Sequence, residues 1–404
     1  MMHSKIRLQC VAALLIIFNF IANLANDIYL PSMPNLTEVF QTTSGTLQFT
    51  MSAWFAGVAL PQLFFGPLSE RIGRRPVILG GGICFIIATA FAALAINIES
   101  LIISRFFQGV GVCCLNVTSF SILTDLYEHA IRKKIINKLN IVGSLSLLLG
   151  PIIGGYFFIY YGWQSNFIFV FSLGALTLLG LYFALPESHL DLNPKALQFQ
   201  TLFKNYFALS MNKIFIGSFA PYCLLLGGLI AYLTAAPFII IGLFGVPPEQ
   251  FGFTQLPIVC SYIGGALLIG ELEKHFPRAD FQTVGFVLVV LSGFSLLIMD
   301  YFDVMNLSVF IVGLSLYAMG FGFCSATLVA DALSASQNNV GSAAAILGAG
   351  MASTCMLASA SVGVLYNGTV ASFSYLLVII SLTAFAIYLS IKKLILFKKL
   401  INVN

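Results

Sequence analysis

Two long apolar runs are joined by the charged stretch Gly66-Pro67-Leu68-Ser69-Glu70-Arg71-Ile72-Gly73-Arg74-Arg75-Pro76. The runs on either side, 46–66 and 76–96, each have the length of about 20 mostly apolar residues that crosses a bilayer as a helix. Glycines near both ends of the stretch allow tight backbone turns. The pattern predicts two membrane-spanning helices joined by a short charged loop.

The rest of the chain has the same apolar character. Of its 404 residues, 59% are hydrophobic and only 8% are charged, whereas soluble domains average about 25% charged residues. A chain with so little polar surface cannot cover itself in water, so its predicted surroundings are the lipid bilayer. The net charge of +4 is small, and it indicates no nucleic-acid surface.

Twelve membrane-spanning helices are predicted, so the expected fold is an all-α membrane protein of two six-helix bundles. They lie near residues 7–29, 46–66, 76–96, 100–123, 138–160, 165–185, 213–237, 251–271, 281–299, 306–330, 341–365 and 372–391. The predicted domains are an N-terminal bundle (1–186), a cytoplasmic linker (187–212) and a C-terminal bundle (213–404).

The basic residues predict the orientation of the spans. Of the 19 lysines and arginines, 18 fall in segments that this count places on one side, and Arg105, inside the fourth span, is the exception. Cytoplasmic segments of membrane proteins collect Lys and Arg, so both termini are expected in the cytoplasm. Asp125 and Asp331 close the fourth and tenth spans in similar strings, which suggests two related halves with a substrate held between them.

Polar side chains interrupt the first span. Asn19, Asn23, Asn26 and Asp27 share one helical face. Burying a carboxylate in a membrane is costly, so such an acid usually faces a cavity and has a role. The alternative is an acid that reaches the membrane surface at the end of its helix.

The fourth span carries Arg105, Gln108, Asn116 and Ser119 close to one face, and Arg105 has a predicted depth similar to that of Asp27. An Asp27–Arg105 pair would partly compensate both burials. Burial favours the neutral acid and a nearby arginine favours the charged one, so the carboxyl could be poised to exchange a proton. The alternative is a fixed structural salt bridge.

The fifth span is rich in small residues and contains a proline. These residues are Gly143, Gly150, Pro151, Gly154 and Gly155. Small residues let helices approach closely and proline bends a helix, so the segment is predicted to pack tightly and to bend.

Five strings carry a family resemblance. The stretch 66–76 resembles the signature between the second and third spans of the major facilitator superfamily, and Leu101-x3-Arg105-x2-Gln108-Gly109-x-Gly111 resembles its fourth-span signature. Gly143-x6-Gly150-Pro151-x2-Gly154-Gly155 is similar to the fifth-span motif of proton-coupled antiporters. Asn26-Asp-Ile-Tyr-Leu-Pro-Ser-Met-Pro34 resembles the Bcr/CflA-type drug exporters, and Leu185-Pro-Glu-Ser188 fits that branch.

The resemblance implies proton-coupled efflux of amphipathic drugs or similar small molecules by alternating access, in a monomer in the bacterial inner membrane. It implies that Asp27 is the proton site with Arg105 as its partner. Asn23, Asn26 and Gln108 are expected beside them. The further cavity candidates are Asn19, Tyr29, Asn116, Tyr222 and Tyr232.

The resemblance also implies a gating role for the charged loop. The residues concerned are Gly66, Glu70, Arg71, Gly73, Arg74 and Arg75, together with Asp125. In the family, the acid at position 70 sits against the start of the eleventh span and stabilises the outward-facing state. Glu70 replaces the usual Asp, and Asn19 stands where some multidrug members carry a second acid.

Two other functions are weighed. A dedicated exporter of one metabolite, such as a siderophore or an amino-acid derivative, has the same sequence features as a multidrug pump. A membrane-embedded enzyme needs convergent nucleophile, base or metal ligands, but the four histidines fall in predicted loop or terminal segments and no HExxH motif occurs. No cofactor and no metal site are therefore expected.

Overall fold

The computed structural model of the protein describes residues 2–194, 196, 211–276, 280–334 and 340–401, and the regular secondary structure within those ranges is helical. Most of the predicted linker, 195 and 197–210, lies outside the described residues. The helices are α1 (Met2–Asp27), α2 (Met33–Val39), α3 (Ser44–Ala59), α4 (Gln62–Ile72), α5 (Arg74–Ala93), α6 (Ile98–Leu126), α7 (His129–Tyr161), α8 (Gln164–Ala184), α9 (Lys213–Ala236), α10 (Pro248–Thr254), α11 (Leu256–His275), α12 (Phe281–Tyr301), α13 (Leu307–Ser334), α14 (Val340–Leu365) and α15 (Val370–Ile401).

Eleven helical segments among the described residues are long and apolar enough to cross a membrane, or twelve when the bent pair α3 and α4 counts as one span. The two helices of this pair meet at 40°. Pro61 lies at the break, where it removes a backbone donor from the helix. The predicted all-α membrane fold of twelve spans is confirmed with this one bend.

Several helix boundaries differ from the apolar runs. α7 begins at His129, nine residues before the predicted start, because Arg132, Lys133 and Lys134 are polar but form helices well. Hydropathy locates the apolar run and therefore misses the polar first turns. After α9, Pro237–Leu243 forms a π-helical segment, which widens the helix at its proline.

The chain divides into two compact units. One comprises Met1–Phe199 with Gly245–Phe253, and the other comprises Gln200–Phe244 with Thr254–Asn404. The short segment Gly245–Phe253 thus groups with the first unit, although the sequence placed it in the C-terminal bundle. The predicted domain boundaries themselves stay a prediction.

Each unit is built from the same set of helix pairs. In the first, α1 packs on α7 and α8, α6 packs on α3 and α5, and α5 packs on α8. In the second, α9 packs on α14 and α15, α13 packs on α11 and α12, and α12 packs on α15. The order of the partners along the chain is the same in both, which fits two halves of related architecture.

Candidate functional site

Asp27 is the last residue of α1, and its side chain is buried inside the first unit with 3% of the residue exposed. Its carboxyl oxygens accept two hydrogen bonds from neutral groups. Asn26 Nδ2 donates to Oδ1 at 3.1 Å, and Ser146 Oγ on α7 donates to Oδ2 at 3.2 Å. Burial and these two hydrogen bonds act in opposite directions on the charge of the carboxyl group.

Arg105 lies in α6 and is completely buried. Its Nη1 donates to the backbone oxygen of Ala25 at 2.9 Å and to Gln108 Oε1 at 2.6 Å, and its Nη2 donates to Asn26 Oδ1 at 3.0 Å. The guanidinium also stands 4.4 Å from the centre of the Tyr29 ring. Neutral oxygens and an aromatic face therefore solvate this buried cation.

Asn26 joins these two charged groups. Its amide nitrogen donates to Asp27 and its amide oxygen accepts from Arg105. The salt bridges among the described residues do not include Asp27 with Arg105, so the direct ion pair suggested by the sequence is wrong for this conformation. A carboxamide has a donor and an acceptor on one carbon, so it can satisfy an acid and a base that do not touch.

A second layer of polar groups holds the first in place. Gln108 donates from Nε2 to Thr89 Oγ1 on α5 at 2.9 Å, and that hydroxyl donates to the Phe85 oxygen at 2.6 Å. The Tyr29 hydroxyl lies 3.0 Å from Thr50 Oγ1 on α3. Arg105 is thus fixed from α1 and α6 directly and from α5 and α3 through one intermediary each.

The three other predicted amides, Asn19, Asn23 and Asn116, form a separate cluster between α6 and the part of α1 that precedes Asp27. Asn19 Nδ2 donates to Asn116 Oδ1 at 2.6 Å, and Asn23 Nδ2 donates to Asn19 Oδ1 at 3.1 Å. Asn23 therefore bonds toward Asn19 and not toward Asp27, unlike Asn26. Asn23 and Asn116 are partly exposed, so this cluster is the more accessible of the two.

Three glycines of α7 face α1 and the residue that follows it. A Cβ atom on Gly150 would lie 2.8 Å from Asp27 Cβ, and one on Gly154 would overlap the backbone oxygen of Ile28. A Cβ on Gly143 would lie 3.3 Å from Asn19 Oδ1. Gly155 points another way, toward the backbone of Pro248 and Glu249. The small residues thus bring α7 against the acid-bearing end of α1.

The charged loop is held by acids from two other segments. Arg74 Nε lies 3.2 Å from Asp125 Oδ2, and Ser188 Oγ donates to the same oxygen at 3.2 Å. Glu187 accepts hydrogen bonds from the backbone nitrogens of Arg74 at 2.9 Å and Arg75 at 3.2 Å. An acid that binds the first N–H groups of a helix also matches the positive end of the helix dipole.

Gly73 makes this arrangement possible. Its φ of +102° lies in the left-handed region, and a Cβ atom there would stand 2.6 Å from Glu187 Oε2. A residue with a side chain would be strained and would also collide with the capping carboxylate. Arg75 donates from Nη2 to the Tyr182 oxygen at 2.8 Å.

The remaining loop residues are less engaged. Glu70 and Arg71 make no side-chain hydrogen bond or ion pair within the described part of the chain, and Gly66 lies inside α4. The expected contact of Glu70 is with the start of the eleventh span. Residues 335–339 and the first side chains of α14 lie outside the described residues, so this contact stays a prediction.

The tyrosine candidates differ in exposure. Tyr222 is partly exposed in the second unit, and its ring lies 5.7 Å from that of Phe321, which in turn lies 5.5 Å from Tyr262. Tyr232 is 1% exposed, packs against Phe310 and Phe373, and donates to Gln255 Oε1 at 2.6 Å. Tyr29 is also fully buried. Of these three tyrosines, only Tyr222 is partly exposed in this conformation.

Sequence reasoning missed several residues of these networks, among them Ser146, Thr89, Thr50, and Glu187 as a helix cap. Ser146 lies three residues after Gly143 and four before Gly150, so the spacing of the glycine face could have revealed it. Nothing in the sequence pairs Thr89 with Gln108. Glu187 was noticed only as part of a family string.

Comparisons with known proteins now place the chain. Residues 15–359 match the family described as Major Facilitator Superfamily. The chain is 30% identical over 345 residues to a protein of Escherichia coli O157:H7 named multidrug transporter MdfA, a match that covers 83% of this chain and 81% of the relative. It is 31% identical over 341 residues to the protein of the same name from Yersinia pestis strain Angola, with the same coverage.

Solved structures with the same fold include a D-xylose-proton symporter, with a TM-score of 0.74, 17% identity, and coverage of 94% of this chain and 97% of the symporter. The xylose transporter XylE from E. coli, in a partially occluded inward-open conformation, gives a TM-score of 0.71 at 17% identity, covering 93% and 96% of the two chains. At this identity the likeness concerns the fold alone. With the family match over most of its length, the chain belongs to the Major Facilitator Superfamily and is a multi-span membrane transporter, not an enzyme.

Proposed function

We propose that this chain is a proton-coupled antiporter that exports amphipathic drugs or similar small molecules by alternating access. The single observation that carries the proposal is Asp27, a buried carboxyl group whose hydrogen-bond donors are both neutral and whose nearest cation acts through Asn26. The relatives named multidrug transporter support the substrate class. The strings at 26–34 and 185–188 support the Bcr/CflA-type branch.

The proposed setting is the cell inner membrane. The distribution of basic residues supports both termini in the cytoplasm, and the two related helix arrangements support an N-terminal bundle of 1–186, a linker of 187–212 and a C-terminal bundle of 213–404. We expect the monomer to be the functional form, with protons and the small-molecule substrate as its ligands.

The proposed cycle couples the charge of Asp27 to the side of the membrane that the transporter faces. A proton from outside neutralises the carboxyl group and favours one facing state, and release of that proton inside favours the other. One charge that moves through 100 mV gains about 2.3 kcal/mol. Substrate binding drives export only if it is linked to loss of the proton, because a ligand shifts an equilibrium by its difference in affinity for the two states.

Arg105 has the role of a fixed cation in this cycle. Because Asn26 rather than the carboxylate holds its Nη2, the guanidinium keeps its acceptors when Asp27 takes up a proton. The ion pair between Arg74 and Asp125 is proposed to hold the cytoplasmic ends of α5 and α6 together during the change. The cap formed by Glu187 is proposed to hold the segment after α8 at the start of α5.

Proton movement in inside-out vesicles tests the proposal. The vesicles are energised to an acidic interior, and lipophilic cations, neutral drugs and metabolites are added outside. The parent is compared with Asp27→Asn and with the control Asp303→Asn, which changes an exposed acid on a turn. We expect some lipophilic compounds to collapse the gradient in the parent and the control but not in Asp27→Asn.

Two results would contradict the proposal. An equal response of Asp27→Asn and the parent would show that the proton site lies elsewhere. A response of the parent to one metabolite and to none of the drugs would show a dedicated exporter instead of a multidrug pump.

A further inference from the structure

Ser146 connects the carboxyl group of Asp27 to the backbone of α7. The side chain is buried, with 1% of the residue exposed. Its Oγ lies 3.2 Å from Asp27 Oδ2 and 2.8 Å from the backbone oxygen of Gly143, one turn earlier in the same helix. A serine hydroxyl carries a single hydrogen, so these two acceptors compete for it.

The charge of Asp27 decides this competition. Hydrogen bonds to an ionised carboxylate are stronger than those to a neutral carbonyl, so a charged Asp27 draws the Ser146 hydrogen toward Oδ2. A protonated carboxyl no longer offers this charge and carries a hydrogen of its own, which it can donate to Ser146 Oγ. The serine hydrogen then turns back to the Gly143 oxygen.

The position of Gly143 in α7 gives the competition a structural consequence. A serine that donates to the carbonyl three or four residues earlier bends its helix. Pro151 follows five residues after Ser146 and lacks the backbone N–H that would otherwise bond the oxygen of Leu147. The segment between Gly143 and Pro151 is therefore the part of α7 that needs the least free energy to bend.

The neighbours of Asp27 supply no other link of this kind. The charged or titratable groups beside it are Arg105 on α6, reached through Asn26, and Tyr29, whose hydroxyl bonds to Thr50 on α3. Neither has a hydrogen bond to α7 in the described part of the chain. Among the hydrogen bonds to the Asp27 carboxylate, the one from Ser146 comes from α7.

We propose that Ser146 is a positioning residue that converts the charge of Asp27 into a change in the bend of α7. This inference rests on the proposed function, in which Asp27 gains and loses a proton in each cycle. Gly150 and Gly154 touch the end of α1, so a change in the bend there moves α7 against the segment that follows Asp27.

The test measures the position of the far end of α7 as a function of pH. Spin labels are attached through Tyr160→Cys on α7 and Phe91→Cys on α5, two exposed positions, in a full-length variant that lacks the eight native cysteines. The distance between the labels is compared in this parent, Asp27→Asn, Ser146→Ala, Ser146→Thr and Ser144→Ala. Ser144 is the matched control, since it donates to the Asn140 oxygen at 2.9 Å but is exposed.

We expect the parent, Ser146→Thr and Ser144→Ala to show a distance that shifts with pH. Asp27→Asn and Ser146→Ala should lose the shift, and transport by Ser146→Ala should lose its dependence on pH while flow of substrate down its gradient persists. A purely structural serine would lower transport at all pH values alike.

The outcomes separate the inference from the function on which it rests. A shift in Ser146→Ala equal to that of the parent overturns the role of Ser146 while leaving Asp27 as the proton site. Loss of the shift in Ser144→Ala as well would show a general effect of helix serines and would also overturn it. A shift that persists in Asp27→Asn overturns both proposals.

Discussion

The guanidinium of Arg105 reaches the carboxyl group of Asp27 through one side chain, the amide of Asn26, which accepts from the arginine at 3.0 Å and donates to the acid at 3.1 Å. When one member of a direct buried ion pair is neutralised, the protein is strongly destabilised, because the other charge stays buried without compensation. Here protonation of Asp27 alters the hydrogen bonds from two neutral donors, Asn26 and Ser146, and Arg105 keeps its own acceptors. The arrangement suits an acid that must change its charge repeatedly.

Replacing Asn26 is the first test of this arrangement. Asn26→Ala removes one acceptor from Arg105 and one donor from Asp27, and hydrogen bonds to charged groups contribute about 1.5–3 kcal/mol each. We expect proton-coupled transport to fall roughly 10- to 100-fold, since about 1.4 kcal/mol corresponds to a factor of ten. Asn140→Ala, an exposed position on α7, serves as the control. Transport within twofold of the parent would mean that Asn26 is not the link.

The loss of stability on replacing each of these glycines of α7 by alanine should depend on the atom that the added methyl group contacts. Gly154→Ala places it on the backbone oxygen of Ile28, Gly150→Ala against Asp27 Cβ, and Gly143→Ala against the movable side chain of Asn19. Overpacking typically costs about 1–3 kcal/mol. Thermal unfolding of the purified variants should show the loss of stability decreasing in that order, and a Gly143→Ala variant less stable than Gly154→Ala would contradict the packing described.

The helix cap formed by Glu187 predicts a second loss of stability. Glu187→Ala removes the acceptor for the backbone nitrogens of Arg74 and Arg75, and removal of a helix cap costs about 0.5–2 kcal/mol. Gly73→Ala should be at least as harmful, because of its φ of +102° and the contact with the carboxylate. Glu38→Ala changes an exposed acid on α2 and should leave the melting temperature unchanged. Equal melting temperatures for Glu187→Ala and Glu38→Ala would rule the cap out.

The two candidate tyrosines of the second unit, Tyr222 and Tyr232, should separate binding from packing. Tyr222→Ala removes a partly exposed ring beside Phe321 and should weaken the apparent affinity for aromatic cations, since a cation over a ring gains about 0.5–2 kcal/mol. Tyr232→Phe removes only the hydrogen bond to Gln255 and should lower stability by about 1 kcal/mol with affinities unchanged. The reverse pattern, measured by substrate competition and thermal unfolding, would contradict these roles.

The fold could be predicted from the sequence because a bilayer imposes one simple rule on it. Each span needs a long apolar run, and such runs are visible without knowledge of any contact. What hydropathy could not give was the helical start of α7 among charged residues, or the bend at Pro61.

The sequence predicted which residues belong to the candidate site but not which of them contact each other. Asp27, Arg105, Asn26 and Gln108 do come together in the structure. Helical periodicity places side chains on one face but does not say which of two adjacent residues points to a neighbouring helix, so Asn26 was expected beside the pair rather than between its members. Asn23, on the same face, instead donates to Asn19, which in turn donates to Asn116.

Proton release on substrate binding tests the central claim most directly. Purified full-length protein in weakly buffered detergent solution is mixed with a compound that collapsed the vesicle gradient, and the change in pH is recorded for the parent, Asp27→Asn and the control Asp303→Asn. We predict that the parent and the control release protons as the compound binds, and that Asp27→Asn binds the compound with no release. Proton release by Asp27→Asn equal to that of the parent would contradict the assignment of Asp27 as the site that exchanges a proton for substrate.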